Sequence, residues 1–207
     1  MTKQEIEQAA TWIPNWHDTG ACMDKRHILL LSQIIQSANI LSAAEIGVHT
    51  AASSSAFIAA GIAHDTTFID ITRTKEARAT LSKYNFAQMK GCDWMCKQKF
   101  LPQLVFIDGN HSMESVLEGV QAIEELGLPQ VLCGHDCNSS NVGFPHCEGA
   151  EMLCNWALHN YKHVYIDMKK RDGEMTHRGF FAATNDPWSA AYIEGEFKAV
   201  CGALELE

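Results

Sequence analysis

The pattern of apolar and polar positions divides the chain into alternating helices and strands. Residues 24–38 repeat apolar side chains at helical spacing, and Asp24 stands where it can cap that helix. A shorter apolar stretch ending at Glu45 leads through Gly47 into small and hydroxyl residues at 50–60, which open another helical pattern. Strand, tight turn and helix are therefore predicted in that order.

The same alternation continues as far as residue 136. Four more strands are predicted at 66–71, 86–90, 104–107 and 130–133, with helices at 76–83 and from Ser112 onward, after a short N-terminal helix within 1–15. Residues 104–107 are apolar throughout and stop at Asp108, as in a strand that is buried on both faces. Strands that alternate with helices favour a parallel sheet.

The end of the chain departs from this alternation. Residues 163–168 and 179–183 are two strand-like runs, and the turn-rich segment 171–174 between them leaves no room for a crossover helix. An antiparallel hairpin is predicted here, followed by a closing helix or tail from Pro187. The expected fold class is α/β: a mostly parallel seven-stranded sheet that ends in an antiparallel hairpin, with helices on both faces.

Composition limits the classes of protein and partner. The chain has 207 residues, 46% of them hydrophobic, which is enough for one core and too little for two comfortable domains. We therefore expect a single domain over 1–207. The sequence has neither an apolar run of about 18 residues nor a secretory pattern, so we expect a soluble, cytoplasmic protein with no membrane partner. The formal net charge of −9 argues against nucleic acid as a partner.

The cysteines do not form a recognisable framework. They stand at positions 22, 92, 96, 133, 137, 147, 154 and 201. Without an export signal, reduced and mostly buried thiols are expected rather than a disulfide scaffold. Cys133 and Cys137 lie near His135, His146 and Cys147, but no pair has the C-x-x-C spacing typical of structural zinc, which leaves a zinc cluster as the less favoured alternative.

Polar residues stand at the ends of successive strands. These are Glu45 and Gly47, then Asp70, then Asp108 and His111, then His135 and Asp136. Each alone is typical of a solvated turn, but in an open parallel sheet all would face one crevice, where ligands bind. Of the G-x-G-x-x-G fingerprint for a pyrophosphate only Gly47 is present, so a nucleoside with a smaller anionic end fits better.

These segments resemble the class I S-adenosylmethionine-dependent methyltransferases, and among them the small-molecule O-methyltransferases of the catechol type and their bacterial relatives. The segments are Glu45-Ile46-Gly47-Val48-x-Thr50-x-x-Ser53, Phe68-Ile69-Asp70, Val105-Phe106-Ile107-Asp108-Gly109-Asn110-His111 and Gly134-His135-Asp136, with the final hairpin. The resemblance implies a Rossmann-like fold. It divides the domain into N-terminal helices at 1–39, a cofactor-binding core at 40–185 and a C-terminal helix or tail at 186–207.

The resemblance implies which residues hold S-adenosylmethionine. They are Glu45 and Gly47 of the first motif, with Gly47 along the methionyl part, Ser53 at the carboxylate, Asp70 at the ribose hydroxyls and Asp93 near the adenine. The chain departs from the family at Ala51, where glycine is usual.

A metal site is also implied. Metal-dependent members hold Mg²⁺ through an acid that ends strand four and a pair that ends strand five, usually Asp-Asn or Asp-Asp. Here Asp108 matches the acid, and the pair is His135-Asp136. Because imidazole suits transition metals better than Mg²⁺, Mn²⁺, Fe²⁺ and Zn²⁺ are candidates beside Mg²⁺. The open alternative is a metal-free relative in which His135 and Asp136 form hydrogen bonds.

The catalytic candidates are His111 and Asp108. In the catechol type, a lysine three residues after the strand-four acid is the base, and here that position is His111, whose ordinary pKa of about 6.5 suits general base work. The alternative is a helix-start histidine bonded to a nearby carboxylate. Weaker candidates are His27 and His49, and the residues that could wall an acceptor site or belong to the core are Trp12, Trp16 and Trp94.

The expected function is methyl transfer to a hydroxyl group of a small molecule, with or without a metal. Two alternatives stay open. A nicotinamide-dependent oxidoreductase is disfavoured by the missing glycines, and a non-catalytic S-adenosylmethionine-binding protein is suggested by Ala51 and the His135-Asp136 pair. The sequence identifies neither the acceptor, which depends on loops such as 138–146, nor whether the chain forms a homo-oligomer.

Overall fold

A computed structural model of the protein describes residues 1–13, 23–138, 147–168 and 179–202. Its strands are β1 Ala43–Ile46, β2 Thr66–Asp70, β3 Asn85–Gln88, β4 Leu104–Ile107, β5 Val131–His135, β6 His163–Asp167 and β7 Phe180–Thr184. Its helices are α1 Lys3–Ala9, α2 Lys25–Ser37, α3 Ser54–Ala59, α4 Lys75–Thr80, α5 Gly91–Met95, α6 Met113–Leu126, α7 Glu148–Asn160 and α8 Pro187–Cys201.

The seven strands form one sheet in the order β3-β2-β1-β4-β5-β7-β6. The first five pair in parallel, and β7 lies antiparallel between β5 and β6. The predicted α/β class, the mostly parallel seven-stranded sheet and the antiparallel end are thus confirmed. The turn predicted at 171–174 lies outside the described residues.

Helices cover both faces because the buried strands are apolar on both. Phe106 of β4 packs into one core together with residues of α2, α3 and α8, such as Leu30 and Phe197. Its neighbour Val105 points to the other core, which contains residues of α5, α6 and α7 such as Leu153. This alternation follows from the two-residue period of a strand and accounts for the uninterrupted apolar run at 104–107.

Several helices differ from the sequence prediction. The α4 helix runs over Lys75–Thr80, shorter than the predicted 76–83, while α5 and α7 were not predicted. The apolar stripe of α7 is interrupted by residues with low helix propensity, including Gly149 and Asn155, and the helix is held by packing its buried side chains against the sheet. The predicted turn at 14–15 and Trp16 lie outside the described residues.

The strand order reverses at β1. The chain continues from β1 to β2 on one side, and β4 pairs with β1 on the other. The carboxyl ends of these strands border the crevice where open α/β sheets bind ligands.

Candidate functional site

A cavity of about 670 Å³ lies at the carboxyl ends of β1, β2, β4 and β5. Most of the residues predicted for the site line it, namely Gly47, Ser53, Asp70, Asp108, His111, His135 and Asp136. Glu45 and Asp93 do not. The parallel sheet therefore brings together the strand-end residues that are far apart in sequence.

Gly47 lets two strand ends approach each other closely. Its φ is +93°, and a Cβ there would lie 2.2 Å from the carbonyl oxygen of Asp108 and 2.3 Å from Cα of Gly109. Both contacts are with backbone atoms, which cannot move aside as a flexible side chain can. Glycine at this position is thus required by the β1–β4 geometry itself.

Asp70 fixes the loop that follows β1. Its Oδ2 accepts hydrogen bonds from the backbone N–H groups of Val48 and His49, both at 2.9 Å, and its Oδ1 accepts one from Thr72 at 3.0 Å. Each carboxylate oxygen has two lone pairs, so Asp70 keeps capacity for further donors in the cavity. The sequence prediction assigned Asp70 to ligand hydroxyls but missed this part in shaping the loop.

In the loop that follows β1, the backbone of Ala51 has a conformation that is typical of glycine. This buried residue has φ +64°, in the left-handed region, which costs a residue with a Cβ about 1–2 kcal/mol. His49, two residues earlier, also has a positive φ of +46°. The alanine that departs from the family pattern therefore occupies the conformation that a glycine would adopt without strain.

The side chain of Glu45, which was predicted to hold the cofactor, does not line the cavity. The side chain is fully buried beneath the loop, where it accepts hydrogen bonds from the hydroxyls of Ser53 at 2.5 Å and Ser54 at 2.6 Å. Burial raises the pKa of Glu45 to about 8 and outweighs the two serine hydrogen bonds, which lower it. These hydrogen bonds connect β1 to the start of α3. Ser53 lines the cavity, but its hydroxyl donates to Glu45.

The raised pKa of Glu45 predicts a pH-dependent stability. Because the folded pKa of about 8 exceeds the ordinary value of 4.5, the contribution of Glu45 is fully present below pH 4.5 and is lost as the pH rises through 8. Glu45→Gln cannot ionise. Between pH 5 and pH 8 we expect its free energy of unfolding to rise relative to the wild type by on the order of 2–4 kcal/mol, measured by urea denaturation.

The exposed Glu125 of α6 offers a matched control. Glu125→Gln should follow the pH dependence of the wild type. If Glu45→Gln does so as well, the buried carboxyl does not have the assigned pKa.

Asp93 also lies away from the cavity. After β3 the chain forms α5, and this turns the exposed Asp93 toward a separate depression that it shares with Cys96 and Glu125. Gly91 and Cys92, from the same helix, line the main cavity instead. The weak sequence pattern after β3 gave no indication of α5, so the position of Asp93 within a helix was not predicted.

Two aspartates and two histidines form a compact polar cluster on the cavity wall. His111 Nε2 lies 3.4 Å from Asp108 Oδ1, and His111 Nδ1 lies 3.3 Å from Asp136 Oδ2. His135 Nδ1 lies 3.1 Å from Asp136 Oδ1 and 3.6 Å from Asp108 Oδ1. Asp136 has a φ of +62°, a strained conformation of the kind that collects at functional sites.

The charges in this cluster stabilise one another. Burial opposes the charged form of His135, but the carboxylates of Asp136 and Asp108 raise its pKa to about 10. Burial likewise opposes the charged form of His111, and again the neighbouring carboxylates raise the pKa. For Asp108, burial alone would raise the pKa, yet the charge of His135 and the hydrogen bonds from both histidines hold it well below its usual range.

Two overlapping sets in this cluster have the geometry of metal ligands. Asp108, His135 and Asp136 each offer one ligand atom, and these atoms lie within 4.8 Å of one another. His111, Asp136 and Cys147 do the same, with Cys147 Sγ at 3.6 Å from His111 Nδ1. The contact between Cys147 and His111, which lie 36 positions apart, was not predicted from the sequence.

A second buried group lies behind His135. His27 Nε2 lies 3.2 Å from Asp167 Oδ2, and Arg26 Nε donates to the same oxygen at 3.1 Å. Burial lowers the pKa of His27 to about 4 and outweighs the effect of Asp167. The rings of His27 and His135 are 5.5 Å apart. His27 was a weak candidate in the sequence, and its pairing with Asp167, 140 positions away, was not predictable there.

The remaining candidates are distributed between core and cavity. His49 lines the cavity, whereas Trp12 and Trp94 are partly buried against the two cores, which favours the core alternative for these tryptophans. Five of the seven cysteines in the described part of the chain are buried. None of the described helices combines the length and the apolar character needed to cross a membrane.

Comparisons with known proteins find relatives in structure and none in sequence. No family model matches the chain, and no curated protein sequence matches it. An O-methyltransferase from Bacillus cereus in complex with SAH superposes with a TM-score of 0.58 at 15% identity, over 87% of this chain and 89% of the other.

Two further structures extend this likeness. The O-methyltransferase TomG from Streptomyces achromogenes, in complex with SAM, has a TM-score of 0.60 at 16% identity, over 90% of this chain and 92% of the other. The SAH-bound methyltransferase PaMTH1 from Podospora anserina has a TM-score of 0.60 at 9% identity, over 89% and 88%. The chain therefore has the Rossmann-like fold of the class I S-adenosylmethionine-dependent methyltransferases, as its motifs predicted.

Proposed function

We propose that this protein is an S-adenosylmethionine-dependent methyltransferase that methylates a hydroxyl group of a small molecule. The observation that carries the proposal is the cavity at the carboxyl ends of β1, β2 and β4, where Gly47, Asp70 and His111 converge. Structures with the same fold are described as complexes with SAM or SAH, and as O-methyltransferases.

The size of the cavity favours a small acceptor. Its volume of about 670 Å³ lies within the range of small-molecule sites. A net charge of −9 argues against a nucleic acid acceptor. These two properties favour a cofactor and a small acceptor held side by side.

The residues of the cavity suit binding and proton removal. Asp70 offers carboxylate lone pairs to the ribose hydroxyls, and Gly47 keeps the β1 loop against the end of β4. S-adenosylmethionine, when bound, supplies a methyl group that is already activated on a sulfonium. A neutral His111 then accepts the proton of the acceptor hydroxyl, and the carboxylates of Asp108 and Asp136 stabilise the imidazolium that forms.

The metal-assisted form of the proposal uses Asp108, His135 and Asp136. Their ligand atoms lie within 4.8 Å of one another, which fits one divalent ion. The imidazole favours Mn²⁺, Fe²⁺ or Zn²⁺ over Mg²⁺. When bound, such an ion would supply a Lewis acid for the acceptor oxygen, and the two carboxylates would balance its charge.

Binding of S-adenosylhomocysteine tests the cofactor part. We expect calorimetry to detect a single site in the wild type, and Asp70→Asn to weaken binding about ten- to hundredfold. A hydrogen bond to a charged group contributes about 1.5–3 kcal/mol, and about 1.4 kcal/mol corresponds to a tenfold change in affinity.

Asp65→Asn is the matched control, because Asp65 is an exposed acid just before β2. It should bind S-adenosylhomocysteine like the wild type. Melting temperatures show whether Asp70→Asn keeps its fold. Stabilisation of the wild type by NADH, with no binding of S-adenosylhomocysteine, would replace the proposal with the oxidoreductase alternative.

A further inference from the structure

We propose that the protein binds a transition-metal ion at Asp24, His27 and His135, between the start of α2 and the end of β5. One ligand atom from each residue lies within 4.8 Å of the others. Two imidazoles and one carboxylate form a donor set that binds Zn²⁺ and Fe²⁺ in proteins. This site shares His135 with the set Asp108, His135 and Asp136 but takes its other ligands from α2, and it does not depend on methyl transfer.

The far nitrogen of each imidazole contacts a carboxylate. His27 Nε2 lies 3.2 Å from Asp167, and His135 Nδ1 lies 3.1 Å from Asp136 and 3.6 Å from Asp108. Since an ionised carboxylate only accepts hydrogen bonds, these nitrogens carry the hydrogens. In the neutral form of each ring the lone pair is then on the other nitrogen, and a metal ion must displace the second hydrogen of a charged His135 to bind there. Metal-binding histidines in proteins are oriented in the same way.

The two rings are also held in place by their neighbours. Arg26 Nε donates to Asp167 at 3.1 Å and so fixes the carboxylate that contacts His27. The His27 ring stacks on Phe180 at 5.5 Å and 26°, and it is steeply inclined to the His135 ring at 70°. Ligands fixed before binding lose little freedom when a metal arrives.

The Nε2 atom of His135 gives a second, independent indication that a ligand binds here. Its Nε2 is buried, and no hydrogen-bond partner for this atom lies in the described part of the chain. An unsatisfied buried polar atom costs about 1–3 kcal/mol. With Nδ1 directed at two carboxylates, Nε2 is the nitrogen that His135 can offer to a cation.

The cavity gives access to this site. His135 and Met23, the neighbour of Asp24, both line it, and the Asp24 side chain keeps 24% of its surface exposed. Three protein ligands leave further coordination positions for water or a ligand. A neutral His135 ring offers one lone pair, so this site competes for it with a metal at Asp108 and Asp136.

Metal titration of chelator-treated protein tests the proposal. Calorimetry with Zn²⁺ and visible absorption with Co²⁺ should detect a site in the wild type. We expect Asp24→Asn to weaken Zn²⁺ binding at least tenfold and to change the Co²⁺ spectrum, and His27→Gln to act in the same direction. Asp65→Asn, which alters an exposed acid, should match the wild type.

Three outcomes would overturn the proposal. In the first, the wild type binds neither ion. In the second, folded Asp24→Asn and His27→Gln bind Zn²⁺ like the wild type. In the third, Asp108→Asn abolishes binding while Asp24→Asn does not, which would place the ion on the Asp108 side. Calorimetry with S-adenosylhomocysteine on the same samples separates a failed metal site from a failed methyltransferase proposal.

Discussion

Gly47→Ala is expected to destabilise the protein by about 2–5 kcal/mol and to abolish binding of S-adenosylhomocysteine. The added Cβ would lie 2.2 Å from the Asp108 carbonyl oxygen, and the backbone would be held at φ +93°. Overpacking costs about 1–3 kcal/mol, and a left-handed conformation costs a residue with a Cβ a further 1–2 kcal/mol or so. Urea denaturation at a fixed pH measures the loss.

A substitution at Gly61 separates the cost of the steric contact from the cost of the left-handed backbone. Its φ is +83°, but no atom lies within 4 Å of the position of an added Cβ. Gly61→Ala should therefore lose only about 1–2 kcal/mol and keep the affinity for S-adenosylhomocysteine. Equal losses in the two variants would show that the contact between the ends of β1 and β4 contributes little.

His111→Gln is expected to lower the rate of methyl transfer by about 10²–10⁴-fold, because it removes the proposed general base. The ring lines the cavity beside Asp108 and Asp136. Affinity for S-adenosylhomocysteine should change little, since none of the proposed cofactor contacts involves this ring. The assay follows the labelled methyl group of S-adenosylmethionine into a panel of small hydroxyl compounds, from which an acceptor is first selected.

His64→Gln is the control for this experiment, because His64 is exposed and contacts Tyr84 at a distance from the cavity. Its rate should equal that of the wild type. A parallel fall of rate and affinity in His111→Gln would assign His111 a structural part, as a helix-start residue held by carboxylates. An unchanged rate would exclude it as the base.

The strands were predictable because a strand that is buried on both faces has an uninterrupted run of apolar residues in the sequence. Residues 104–107 are apolar without interruption, and in the structure β4 lies between β1 and β5, covered by helices on both sides. Strand-end residues such as Asp70 and Asp108 could then be placed together, since parallel strands bring their carboxyl ends to one edge.

Contacts between distant segments could not be predicted in this way. His27 and Asp167 are 140 positions apart, and neither strand nor helix periodicity relates them. Glu45 is buried against the hydroxyls of Ser53 and Ser54, at the start of the next helix. An acidic residue within a sequence motif does not by itself indicate whether its side chain faces the ligand or such hydroxyls. The helix that contains Asp93 was not predicted, because the five residues of α5 are too few to produce a periodic pattern.

The order of strands has a consequence for synthesis. Strand β7 pairs with both β5 and β6, so β6 cannot join the sheet until residues 180–184 have left the ribosome. Phe180 pairs with His135 on one side and with Asp167 on the other. The wall of the site that contains His27 and His135 is therefore completed only after β7 has been synthesised, and a nascent chain that stops before β7 leaves the edge of β5 open to wrong pairing.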